Sequence, residues 1–247
     1  MPGGFGSFVS SYRNKIRTLV STKDIEARLR SHVEDFQKWV RETFSQSAIA
    51  EGQVDDPGYP EWKAIAKDVA VLFSQYDVRD LTKAGVDDLL FLTGRNWDLG
   101  WIINWLTRDT KNLSNIGALS EAEFYFLCQH ALTVEDEDAQ SQFPANFTKF
   151  DSLTPQRQEL LLQFSRSKYA YTRRQALEAL MQLKYPHMEE LIAAAWETED
   201  EWVRIDCLRM LKRLESPLLS QYEERALADG RHDLLVHLKE SQRKNNA

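Results

Sequence analysis

A chain of 247 residues that is 43% hydrophobic and 28% charged is long enough for a full core, as one helical array or as two domains, and its composition excludes a disordered polymer. Its net charge of −7 is unevenly spread: residues 1–45 carry 8 basic and 5 acidic side chains, residues 46–150 carry 8 and 17, and residues 151–247 carry 15 and 16. An acidic middle argues against a phosphate backbone as partner and for a basic one, although solubility alone is the plainer use of surplus acid.

The opening residues Met1 to Ser7 lack the basic start and apolar run of a secretory signal, and no stretch reaches the apolar length of a membrane span, so a cytoplasmic protein with no membrane partner is expected. The two cysteines, Cys128 and Cys207, sit far apart within helical apolar patterns and read as small core residues rather than as a disulfide. Two glycosylation patterns, at Asn112 and Asn146, carry no meaning without export.

In chain order, residues 1–11 are rich in Gly and Ser, with Phe5 and Phe8 among them, and read as an arm. Asp24 is placed to cap a long amphipathic helix carrying Ile25, Leu29, Val33, Phe36, Trp39, Val40 and Phe44. Residues 50–60 combine Gly, Pro and Asp and predict a loop; helical spacing resumes over 61–76 through Trp62, Ile65, Val69, Leu72 and Phe73. Helices over 86–93 and 97–107 are expected on either side of a Gly94-Arg95-Asn96 stop, with Asn96 capping the second. Ser120 and Glu123 form a capping-box pattern opening a helix with Phe124, Leu127, Cys128, Ala131 and Leu132. The acidic run 135–138 and Pro144 then mark residues 133–150 as a long solvated connector.

The last hundred residues repeat. Pro155, Pro186 and Pro217 lie 31 residues apart, each near the first turn of an expected helix, and the same offset superposes Arg173 on Arg204, Ala176 on Cys207, Leu177 on Leu208, Leu180 on Leu211 and Leu183 on Leu214. A shortened third copy places Arg231, Leu234, Leu235 and Leu238 in the matching slots, as a terminal capping repeat would. Helix pairs are therefore predicted at 155–165 with 170–184, 187–196 with 200–214, and 217–228 with 231–243. No alternating pattern predicts a strand.

The stretch from Asp200 to Leu211, with Val203-Arg204 at its start and one apolar stripe behind, resembles the second helix of a HEAT repeat; Thr172-Arg173 begins the preceding copy, with Thr in place of Val. The resemblance covers residues 155–243. It implies an all-α protein, an α-α superhelix of HEAT-like pairs (155–184, 186–214 and 217–243) forming a domain over 151–247, preceded by an irregular helical region over 1–150.

Solenoids of this type bind along the face formed by successive second helices. Val203, Cys207, Leu208, Leu211 and Leu214 are expected to fill the buried stripe, leaving Trp202, Asp206, Arg209 and Arg213 on an adjoining face, matched in the preceding repeat by Tyr171, Gln175, Glu178 and Gln182. An aromatic beside charges, recurring at one repeat slot, is a composition favoured at protein interfaces; packing of Tyr171 and Trp202 against a neighbouring repeat is the alternative. Trp97, Trp101 and Trp105 share one helix face, better explained as core than as site; if exposed, Asp87, Asp88, Asp98 and Asp109 would rim them as an acidic anchor.

Patterns for catalysis are poor. His32, His130, His187, His232 and His237 have no metal-ligand spacing, and there is no phosphate loop, nucleophile elbow, Cys-x-x-Cys pair or calcium loop. No metal or cofactor is therefore expected. HEAT-like arrays serve as scaffolds, adaptors, immunity proteins and some enzymes. By likeness to the HEAT-like immunity families, an acidic chain of this kind resembles a bacterial immunity protein, which implies neutralising a basic toxin domain by direct binding. The alternatives are a general scaffold or adaptor, or a HEAT-like alkylpurine DNA glycosylase, for which Trp97, Asp98 and Trp101 are the only local cluster and against which the charge of residues 46–150 stands.

Overall fold

The structure, a computed structural model, describes residues 21–96, 100, 102–103, 119–150, 152–198 and 200–245. Phe5 and Phe8, the three tryptophans of the 97–107 stripe, and Asp98 and Asp109 lie outside them. Among the described residues there are twelve α-helices, three short 3-10 turns and no strand. The chain divides into two compact units, residues 1–143 and 144–247.

The first unit begins with α1 (Thr22–Thr43), which buries Ile25, Leu29, Val33 and Phe36. Its cap is Ser21, not Asp24: the Ser21 hydroxyl accepts from the Asp24 N–H, and the Asp24 carboxylate accepts in return from the Ser21 N–H at 2.9 Å. Asp24 thus closes a capping box from inside the first turn, which favours its charged form and holds its pKa below the usual range. A short helix α2 (Gln46–Ala50) and a turn at Asp56–Gly58 occupy the expected loop. The Trp62 indole pins that turn by donating to the Asp56 carbonyl at 2.7 Å.

Helices α3 (Trp62–Gln75) and α4 (Lys83–Arg95) pack on α1, and α5 (Glu121–Ala131) packs on α4. The Ser120–Glu123 capping box of α5 is present. Helix α4 ends inside the expected Gly94-Arg95-Asn96 stop, at Arg95, and Gly94 has a further role there. It lies within α4, where an added Cβ would stand 2.7 Å from the backbone nitrogen of Ala139, so its lack of a side chain permits a close backbone approach. Asn96 is the C-cap of α4, and its side chain accepts from the Ile102 N–H at 3.1 Å.

The solvated connector expected over 133–150 is instead a helix, α6 (Glu137–Asn146), followed by a 3-10 turn at Phe147–Lys149. The acidic run starts it. The Asp136 carboxylate accepts from the Ala139 N–H at 3.1 Å, while Glu137 and Asp138 occupy the first turn, where the helix dipole favours negative charge. Asp136 and Asp138 also clasp Arg95, the former at 2.8 Å. Pro144 is accommodated inside this helix.

The second unit carries six helices in pairs: α7 (Pro155–Phe164) with α8 (Ala170–Gln182), α9 (Met188–Trp196) with α10 (Glu201–Arg213), and α11 (Leu219–Asp229) with α12 (His232–Asn245). Each pair is in contact internally, and α10 touches both α8 and α12. Pro155 opens α7, whereas Pro186 and Pro217 stand two residues ahead of their helices.

The 31-residue offset is physical. Ala176, Leu177 and Leu180 are buried, as are Cys207, Leu208 and Leu211. Lys184 (φ 59°) and Glu215 (φ 51°) both adopt the left-handed conformation after their helices; Tyr185 then donates to the Leu180 carbonyl and Ser216 to the Leu211 carbonyl, the Schellman termination in each copy. The matched arginines also share a task. Arg173 donates to the carbonyls of Ser167 and Lys168 at 2.9 and 3.0 Å, and Arg204 to that of Trp196 at 2.8 Å, so each covers carbonyls at or just beyond the end of the preceding helix. The match ends at the helix termini. Leu183 is only half-buried and Leu214, placed by its spacing in the buried stripe, is 40% exposed at the C-cap, just past the last residue of α10.

Candidate protein-binding face

Tyr171 and Trp202 occupy the second helical position of α8 and α10 and are 42% and 49% exposed. The guanidinium of Arg174, a residue the sequence pattern did not single out, lies 5.9 Å from the Tyr171 ring and 5.8 Å from the Trp202 ring. Its Nε donates to Asp206 at 2.5 Å, fixing the cation between the two aromatics.

The charges expected on this face are all present but are engaged with one another. Asp206 also accepts from Arg209 at 3.0 Å, and Arg213 donates to both carboxylate oxygens of Glu178 at 2.7 and 2.9 Å. Two of these pairs, Arg174 with Asp206 and Arg213 with Glu178, cross from α8 to α10. The face therefore presents two exposed rings beside an ion-pair lattice whose acids are already compensated, while Arg209 and Arg213 keep about half of their side-chain surface in water. Such an arrangement can bury aromatic area against a partner with little rotamer entropy lost, since Arg174 is already held.

The acidic candidates Asp87 and Asp88 belong to the first unit. Asp87 pairs with Lys83 at 2.7 Å. Asp88 is not a surface charge: it is buried against Arg30 at 3.1 Å, and burial raises its pKa despite that cation, with Asp87, Glu34 and Glu26 adding to the rise. Its place at the buried side of α4 removes it from any role in steering a partner. Asp98 lies outside the described residues.

Both cysteines are free and buried; burial pushes Cys207 up to about 12 and Cys128 well above the usual thiol range, so neither is a ready nucleophile. No group of three metal-ligating side chains occurs among the described residues, and no described helix is long and apolar enough to cross a membrane. Compared with protein-family models, with curated proteins and with solved structures, the chain matches none.

Proposed function

We propose that this chain is a protein-binding module of the HEAT type, its helix pairs over 155–243 stacked as a superhelix and its contact surface centred on Tyr171, Arg174 and Trp202. The observation that carries the reading is the exposure of two large aromatics at one repeat slot, clamped around a single guanidinium. Within that class the preferred role is an immunity protein acting in the bacterial cytoplasm, neutralising a basic toxin domain by direct binding. The net charge of −7 supports it, because acid in excess speeds encounter with a cationic partner while buried rings set the slow dissociation. No catalytic step, cofactor or nucleic-acid contact enters this role. A scaffold or adaptor would use the same face; the glycosylase alternative rests on Trp97, Asp98 and Trp101, which lie outside the described residues.

The test is affinity purification from the native host followed by kinetics on the recovered partner. One principal protein, basic in net charge, is expected, with an association rate that falls steeply as salt rises. Trp202→Ala should speed dissociation by roughly thirtyfold, the equivalent of about 2 kcal/mol for a true anchor. A partner indifferent to both salt and Trp202 would overturn the assignment.

A further inference from the structure

The first unit contains a concavity of about 600 Å³ bounded by α1, α2 with its following loop, α4 and the start of α6. That volume is within the range of small-molecule sites, roughly 300–1,000 Å³. Its apolar wall is formed by Phe36, Val40 and Phe91 on the long helices, faced by Ile49 and Val54. Behind Phe36 the rings of Trp39, Tyr59 and Trp62 pack with centroids 5.1–5.7 Å away, so the wall is firmly supported. On the loop side Gly52 takes φ +70° and has open space where a Cβ would stand, which leaves that side unobstructed.

The charged groups at this concavity differ in what they are free to do. Arg95 lies 5.2 Å from the centre of the Phe91 ring and is clasped by Asp136 and Asp138, so these three charges are committed to one another. Asp56 is buried. Arg41, exposed on the last turn of α1, has no carboxylate within ion-pair distance among the described residues.

We infer that this concavity binds a small carboxylate with an apolar body, the body lying against Phe36, Val40 and Phe91 and the carboxylate accepting from Arg41. A single planar guanidinium offers two parallel donors, the match for a carboxylate. A phosphate would bring a second negative charge beside Asp56 and Asp138 with no further uncommitted cation among the described lining residues to meet it. An amine would be repelled by Arg41 and would find Asp138 already taken by Arg95. This ligand site does not depend on the protein-binding reading, whose residues lie in the other unit.

The test is a ligand-observed NMR titration of the full chain with three matched probes: 4-phenylbutyrate, 4-phenylbutyramide and 4-phenylbutylamine. Saturable binding of the carboxylate is expected, roughly tenfold tighter than the amide, with none for the amine. Arg41→Ala, an exposed position, should bring the carboxylate down to the affinity of the amide and leave the amide unchanged, whereas Ile49→Asn should weaken both and Trp202→Ala neither. Absence of saturable binding by the carboxylate, equal affinity for the amine, or indifference to Arg41→Ala would overturn the inference.

Discussion

Thr172 is the position where the repeat and the structure together make the sharpest energetic statement. It is fully buried, its hydroxyl oxygen makes no hydrogen bond, and the carbonyl four residues back, that of Lys168, accepts from Arg173 instead. The matching residue 31 positions on is Val203, equally buried. Thr and Val share a branched shape and nearly equal helix propensity, so Thr172→Val changes little except the hydroxyl. A buried polar group left without a partner costs about 1–3 kcal/mol, so the substitution should stabilise the second unit by about 1–2 kcal/mol. With a urea slope of roughly 2 kcal/mol per molar, the midpoint of its unfolding followed by circular dichroism should rise by about half a molar to one molar at unchanged slope. Thr172→Ala, which also deletes a buried methyl, should gain less. A midpoint that falls with Thr172→Val would show that the hydroxyl does stabilising work the geometry does not reveal, and would refute the reasoning.

Two further substitutions probe the same unit. Leu208→Ala should cost about 2–5 kcal/mol by opening a cavity, whereas Leu214→Ala, at an exposed position, should change stability by less than about 0.5 kcal/mol; equal effects in denaturant titrations would remove the buried-stripe assignment. Asp229 is held down at about 2, first by Arg231 and then by Arg204, so it contributes stability that is complete above its unfolded value near 4 and is lost as pH falls from there through about 2. Asp229→Asn should therefore cost roughly 2 kcal/mol at pH 7 and flatten the acid limb of the stability profile in that window, which unfolding midpoints at successive pH values would reveal.

The helices were legible where apolar spacing and a cap agreed, as at Ser120 with Glu123, and the six C-terminal spans follow from the 31-residue offset to within a few residues. Sequence and structure part where one residue type admits two local roles. Asp24 can cap a helix or complete a capping box from its first turn; the Ser21 hydroxyl, three residues ahead, decides it. The run 135–138 looks like solvated charge until Asp136 is seen as a cap with two acids following it, a sequence-level signal that was available. Gly94 could not have been read from spacing, because what it accommodates is backbone 45 positions away in sequence at Ala139. Arg174 was invisible for a related reason: its partner is 32 residues distant and Arg213's is 35, and neither separation follows from helical periodicity without the offset between α8 and α10.

Those cross-helix pairs bear on how the face would work. An exposed ion pair contributes little stability, commonly about 0–1 kcal/mol, so the value of Arg213–Glu178 lies more in where it holds the cation than in how tightly it joins α8 to α10, while Arg174–Asp206 is the better shielded pair. Asp206 is well shielded and sits between Arg174 and Arg209, which keeps the former against the rings and leaves the latter half in water. A partner docking on Tyr171 and Trp202 would thus meet a guanidinium already desolvated on two sides and already compensated, so the cost of burying it is partly met before contact. The acid available for long-range attraction must then come from carboxylates outside this lattice. Approach and grip would be controlled by different residues, with charge acting on the rate of encounter and the aromatic pair acting on the lifetime of the complex.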